Sequence, residues 1–321
     1  MRQAAVSVGL LAFLSGCNRH QSALATFGAE AEGIRTITIA LVVGAVFIIA
    51  IMVGIYWRAV RAPEGQLTHK QGMRLVLWLG GIGPTILLTV ILIFALPAMR
   101  PRVTAPGDLT IHVEGEQFWW RVGYERPGGG VLVAANEVRV PVGRTVAFEL
   151  TGRDVIHSFW IPGLAGKMDM IPGRTNSLVA RADKPGRYRG VCTEFCGLSH
   201  ALMAFDVIAM EPAAFYAWLA DQSRPAAGAR QGQGAQLFAA NGCGGCHAIR
   251  GTEHDARIGP DLSRYGDRLT LGAGILPPTI ERTADFIRAP QDAKPGVRMP
   301  AYPQLSHQEA RAIAVYLKGL K

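Results

Sequence analysis

The chain has 321 residues, enough for about two folded domains, and 49% of them are hydrophobic, with a positive mean hydropathy that is high for a wholly soluble protein. It carries 33 Lys and Arg against 24 Asp and Glu, divided as 7 against 3 in residues 1–99, 14 against 13 in residues 100–229 and 12 against 8 in residues 230–321. No block of like charge and no basic run interleaved with aromatics stands out, so no nucleic-acid partner is expected.

Residues 1–16 read as a signal peptide: an early Arg2, an apolar run, then small residues. Leu14-Ser15-Gly16-Cys17 resembles a bacterial lipobox, which makes Cys17 a lipidation candidate; the alternative is an ordinary signal peptide with an incidental cysteine. Residues 34–57 form a nearly unbroken apolar run of 24 residues whose single charge, Arg35, lies at its very start. At about 1.5 Å per residue it crosses a hydrocarbon core of about 30 Å. A second run, uncharged, covers residues 75–99, with Gly80, Gly81, Gly83 and Pro84 inside it. Together they predict a transmembrane hairpin over residues 30–100. The connecting stretch carries Arg58, Arg61, Lys70 and Arg74 against Glu64, which puts it in the cytoplasm and both ends of the hairpin outside.

From residue 101 to 222 the pattern changes to short segments rich in aromatic and β-branched residues, separated by Pro-Gly and Gly-Gly punctuation. This predicts an all-β sandwich or barrel, closed by a short helix over residues 211–219. Residues 223–234, containing PAAGARQGQG, read as a small-residue linker. Residues 235–321 carry helical patterns around loops and end in a helix over 306–320, with Ser306 and Glu309 spaced for a capping box.

Four of the five cysteines lie in two clusters. The first is VCTEFCGLSHALM, residues 191–203, which sets Cys192, Cys196, His200 and Met203 close together. As one helix it would spread Cys192 and His200 about 12 Å along the axis, too far for one centre with bonds of about 2.0–2.3 Å. A loop between strands can curl all four side chains inward. Two thiolates, an imidazole and a thioether are a soft set that suits copper. One histidine is too few for two coppers, and DVIHSFWIPG offers His157 from a neighbouring strand.

C-x-x-x-C-x-x-x-H-x-x-M with an upstream H-S-F resembles the CuA site of cytochrome c oxidase subunit II. The resemblance implies a cupredoxin-like fold in which Cys192 and Cys196 bridge two coppers, His157 and His200 bind one each, and Met203 and the Glu194 carbonyl are weaker ligands. It also implies that the Glu194 side chain reaches a magnesium ion shared with subunit I, which the segment from Lys167 to Arg174 would face. Glu116-Gln117-Phe118-Trp119-Trp120 resembles the aromatic segment through which the family takes up electrons, with Phe118 standing where tryptophan is common; Phe118, Trp119 and Trp120 are the uptake candidates. The glutamate the family often has just before the second helix's tryptophan is missing ahead of Trp78.

The second cluster, Cys243-Gly244-Gly245-Cys246-His247, is the C-x-x-C-H motif of covalent haem c attachment. On this reading Cys243 and Cys246 attach the haem and His247 is the proximal iron ligand; the rival is a redox or zinc-binding C-x-x-C. Met299, in Arg298-Met299-Pro300, resembles the sixth ligand of small class I cytochromes c, with His254 and His307 as alternatives.

The expected protein is therefore a multidomain membrane protein: a transmembrane hairpin, an all-β cupredoxin-like sandwich and an all-α cytochrome c domain. By resemblance it is subunit II of a haem–copper oxidase in the bacterial cytoplasmic membrane, its outer domains periplasmic. Its partners would be subunits I and III, and a soluble or membrane cytochrome c or the bc complex as donor. The rival readings are a CuA subunit of a nitric oxide or nitrous oxide reductase, and a membrane-tethered copper carrier.

Overall fold

A computed structural model of the chain describes residues 18–63, 65–98, 100, 105, 108–126, 129–229 and 231–321. The signal-peptide reading, Cys17 and Glu64 lie outside them. The chain divides into two compact units, Glu32–Arg102 and the remainder.

The first apolar run lies inside helix α1 (Ala29–Arg61), which continues through polar residues at both ends. The second begins in α2 (His69–Val76), widens into a π segment (Leu77–Ile82) and continues as α3 (Gly83–Ala98). Thr68 starts α2 through a capping box with Gln71. The π segment has a local cause. Pro84 lacks an N–H and its ring crowds the carbonyl one turn back, and the helix takes up that fault in the glycine-rich turn before it, where Gly83 N–H reaches Trp78 O. Thr36, Thr38, Thr85 and Thr89 each donate their hydroxyl to the carbonyl four residues back, which satisfies polar groups in an apolar stretch. Both helices are long and apolar enough to cross a membrane.

The other unit holds a sandwich of two five-stranded sheets. One has the order β3 (Val131–Ala135), β2 (Trp119–Glu125), β1 (Leu109–Glu116), β5 (Thr145–Gly152), β8 (Asn176–Arg181). The other has the order β4 (Glu137–Pro141), β10 (Ala204–Met210), β9 (Gly186–Cys192), β6 (His157–Trp160), β7 (Met168–Met170). Strand β1 is antiparallel to β2 and parallel to β5, with Ile111 opposite Tyr124 on one side and Phe148 on the other. Alternate residues face the partner sheet. Ile111, Val113, Val122, Phe148, Leu150, Phe159, Phe205 and Val207 are all buried. Phe205 stacks on Phe159 at 4.8 Å and meets Trp120 edge-on at 5.0 Å. The segment before α1 belongs to this unit: Phe27 stacks on Tyr188 and donates its N–H to Gly163 O at 2.8 Å.

After the sandwich, α4 (Pro212–Gln222) packs Phe215 beneath Tyr124. The helical domain follows, built on α5 (Gly232–Ala240), α6 (Ile280–Arg288), the short α7 (Pro290–Ala293) and α8 (His307–Gly319). Phe238, Ala284, Ile287, Ile313 and Leu317 make its core. The Ser306–Glu309 capping box forms, with Glu309 N–H donating to Ser306 Oγ at 3.2 Å and Ser306 N–H to Glu309 Oε2 at 2.8 Å. Ser306→Ala is expected to cost about 1 kcal/mol, read as faster amide exchange in the first turn of α8.

Residues 225–229 do not hang free. Ala226 and Ala229 are buried, Ala226 N–H donates to Arg250 O and Ala227 N–H to Lys321 O, each at 3.0 Å. The small residues at the start of this linker fit closely against the helical domain. That domain also docks on the sandwich. Leu269 N–H donates to buried Glu137 at 2.7 Å, Thr270 Oγ1 to buried Asp206 at 2.8 Å, and Ala204 N–H to Ala273 O at 3.0 Å. Lys294, almost fully buried, donates to Leu202 O at 2.9 Å and Gly272 O at 2.6 Å.

Candidate copper and haem sites

Strand β6 opens on His157, its ring wholly buried between the sheets. Strand β9 ends on Cys192, a loop carries Cys196, a single helical turn holds His200, and Met203 stands just before β10. Because β9 and β10 are paired up to Val191 and Ala204, the intervening loop must fold back on itself, and its side chains converge. Cys192 Sγ lies 3.9 Å from Cys196 Sγ, and His157 Nδ1 lies 3.9 Å from Cys192 Sγ. Cys196 Sγ is 3.6 Å from His200 Nδ1 and 3.8 Å from Met203 Sδ. The Glu194 carbonyl is 3.3 Å from Cys192 Sγ. All six residues of the expected set are therefore together.

The sulfur separation is well beyond a disulfide bond of about 2.05 Å, and both thiols are free. A soft set of two sulfurs, each with an imidazole nitrogen beside it, fits a thiolate-bridged copper pair. The hydrogen bond from Cys196 holds the Cys192 thiol well below the ordinary range despite burial, whereas Cys196 is raised by its proximity to Cys192. Burial works against charge on His157, but its bonds to Cys192 and Asp154 outweigh burial and raise it.

Two partners were missed from the sequence. Asp154 Oδ1 accepts from His157 Nε2 at 2.9 Å, which fixes the ring and leaves Nδ1 facing the sulfurs. Metal-ligating histidines commonly have such a carboxylate, and Asp154 stands only three residues ahead in D-V-I-H. Gln117, also missed, donates its amide to Cys196 O at 2.5 Å.

In the helical domain Cys243, Cys246, His247 and Met299 line one cleft of about 1160 Å³, its open mouth included. Leu262, Leu271, Ile287 and Leu317 make much of the rest apolar. His247 Nδ1 donates to Pro260 O at 2.8 Å, which turns Nε2 free. Burial lowers the pKa of that imidazole, so it is neutral and able to bind iron. Burial pushes the Cys243 thiol up to about 11. Two free thiols, a neutral imidazole and a thioether around an apolar cleft fit a covalently held haem. Of the alternative ligands, His254 packs on Phe238 and His307 opens α8; neither lines the cleft.

The same cleft is walled on its other side by Gln117, Phe118 and Trp119 of the sandwich. Trp120 points the other way, into the sandwich core, with its ring 6.3 Å from His157. The aromatic segment therefore divides: Phe118 and Trp119 face the helical domain and Trp120 backs the histidine.

The family profile described as cytochrome c oxidase subunit II, periplasmic domain, matches residues 125–210, and that of cytochrome c matches residues 232–321. A cytochrome c oxidase subunit 2 of Alkalihalophilus pseudofirmus is 43% identical over 220 residues, which cover 67% of this chain and 63% of that protein. One of Bacillus subtilis is 33% identical over 251 residues, covering 74% of this chain and 69% of that protein. The crystal structure of the periplasmic domain of subunit II of the Bradyrhizobium japonicum cytochrome oxidase is 32% identical, covering 38% of this chain and 97% of that one, with a TM-score of 0.35. The chain spans just under two thirds of the first relative and just over two thirds of the second. Its sandwich and its C-x-x-C-H helical domain each match a profile of their own, and on that double match and the identity to subunit 2 proteins the chain belongs to the cytochrome c oxidase subunit II family, with a cytochrome c domain at its C-terminal end.

Proposed function

We propose that the chain is the electron-transfer subunit of a terminal oxidase, anchored in the bacterial cytoplasmic membrane by α1 and the helix His69–Pro97, with its sandwich and helical domain on the periplasmic side. When bound, haem c and the copper pair supply one-electron transfer, from an external donor through the helical domain to the sandwich and on to the subunit that reduces oxygen. Cys243 and Cys246 would hold the haem covalently, with His247 and Met299 as its iron ligands. Cys192 and Cys196 would supply the shared thiolates that hold the copper pair, His157 and His200 its imidazole ligands, and Met203 and the Glu194 carbonyl its weaker ones. The Glu194 carboxylate is assigned to a magnesium ion shared with subunit I. Subunits I and III are the expected partners, with a cytochrome c or the bc complex as donor, and Cys17 is the lipidation candidate.

The observation that carries this reading is the shared cleft, whose walls combine the haem-attachment residues with Phe118 and Trp119. A donor fused and docked in this way replaces a bimolecular encounter by a fixed one. Phe118 and Trp119 then serve the internal haem rather than an external cytochrome. A copper carrier needs exchangeable ligands and no haem cleft.

Electron paramagnetic resonance on the full-length, haem-attached, copper-loaded chain tests the reading. Hyperfine structure from one electron shared equally by two coppers is expected. A signal from isolated single coppers in fully loaded protein would overturn it. Met203→Leu is expected to change the midpoint potential of the copper site while copper analysis still finds most of the metal bound, as befits a weak ligand; loss of both coppers would contradict that role.

A further inference from the structure

Three contacts made by residues 294–298 of the helical domain reach the supports of the copper-ligand residues. Lys294 donates to Leu202 O, between His200 and Met203, at 2.9 Å. Ser199 Oγ, next to His200, donates to Pro295 O at 2.6 Å. Arg298, next to Met299, spans two carboxylates of the sandwich: Nη1 to Glu116 Oε1 at 3.0 Å and Nη2 to Asp154 Oδ2 at 2.9 Å. Asp154 is the residue whose other oxygen accepts from His157 Nε2.

The two carboxylates do not depend on Arg298 equally. Glu116 also meets Arg121 at 3.5 Å and Arg153 at 3.7 Å. Asp154 otherwise accepts from the Gln117 and Val155 N–H groups and from His157. Among the described residues Arg298 is the only arginine or lysine in salt-bridge contact with it, although the more distant Arg153 also feels its charge. Removing the guanidinium therefore leaves Glu116 paired and Asp154 without a cation in contact.

We propose that Arg298 is a positioning residue that clamps the Met299 loop onto the sandwich and, through Asp154 and His157, tunes the copper site according to whether the helical domain is docked. The inference rests on the copper and haem assignments above. A carboxylate that shares its charge with a guanidinium is a weaker acceptor for the imidazole N–H. Without the guanidinium, Asp154 draws harder on His157 Nε2–H, the imidazole becomes a stronger donor, and oxidised copper is favoured. Docking thus holds the copper potential up. A lysine in place of Arg298 keeps the charge but lacks the planar fork that spans both acids.

The test is spectroelectrochemistry of the full-length, haem- and copper-loaded chain, with flash-induced electron exchange between haem and copper as a second reading. Arg298→Met is expected to lower the copper midpoint potential and slow the exchange, while the near-infrared thioether-to-iron band shows Met299 still bound. Asp154→Asn, a poorer acceptor, should move the potential upward. Glu116→Gln loosens the clamp without touching His157, so exchange slows at an unchanged copper potential. Arg298→Lys should recover part of the potential and little of the exchange rate. An unchanged copper potential in Arg298→Met, or an equal shift in Glu116→Gln, overturns the proposal. If the wild-type chain itself lacks the two-copper signal, the underlying assignment fails instead, before any variant is compared.

Discussion

Cys196→Ser is expected to abolish the shared-electron copper signal and to bring bound copper down from two ions to one or none. Cys196 Sγ is the hub of the cluster: Cys192 Sγ at 3.9 Å, His200 Nδ1 at 3.6 Å and Met203 Sδ at 3.8 Å all surround it. A serine hydroxyl is a hard donor that does not ionise near neutral pH, and it cannot bridge two coppers as a thiolate does. The fold should survive, because the Cys196 side chain lies in a loop outside the strands and the β9–β10 ladder runs between Val191 and Ala204 without it. Metal analysis and paramagnetic resonance on the folded variant, with far-ultraviolet circular dichroism as control, give the answer. A persisting two-copper signal would exclude Cys196 as a bridge.

Gly190→Ala should be the most destabilising single methyl addition near the copper site. Gly190 lies opposite Phe205 in the β9–β10 pairing, and a Cβ there would come within 2.0 Å of the Phe205 ring. The ring has nowhere to go: it is fully buried, stacked on Phe159 and edge-on to Trp120. Overpacking of this kind costs about 3 kcal/mol, which corresponds to a fall of about 6–12 °C in the unfolding temperature of a domain this size. Because Cys192 is two residues further along β9, copper retention should weaken as well. Thermal unfolding followed by near-ultraviolet circular dichroism checks the first effect, and Gly190→Ala with Phe205→Leu should recover part of it. An unchanged unfolding temperature would mean that Phe205 turns aside freely.

Residues whose role is set by their own chemistry were legible in the sequence. The two apolar runs, residues 34–57 and 75–99, fall within α1 and the helix His69–Pro97 to a few residues, because a bilayer-length apolar stretch has few alternatives to a helix. Ser306 and Glu309 announced the start of α8 because capping is a contact over three residues. The short strands were legible as a class from their aromatic and β-branched content. Their pairing was not, since the parallel match of β1 with β5 joins segments separated by β2, β3 and β4. Residues 225–229 are a different case. Their composition speaks for flexibility, but whether their backbone donors find partners depends on Arg250 and Lys321, which no local pattern reports.

The ligand sets divide along the same line. Spacing and donor type alone brought Cys192, Cys196, His200 and Met203 into one loop and Cys243, Cys246 and His247 into one motif, since each set lies within twelve residues. Which way Trp119 and Trp120 face depends on the pleat of β2 and on what covers each side, and only the folded sandwich decides it. Asp154 and Arg298 are 144 residues apart and each is unremarkable as sequence. A charge pair gains its meaning from distance and burial, and those exist only once the helical domain has docked on the sandwich.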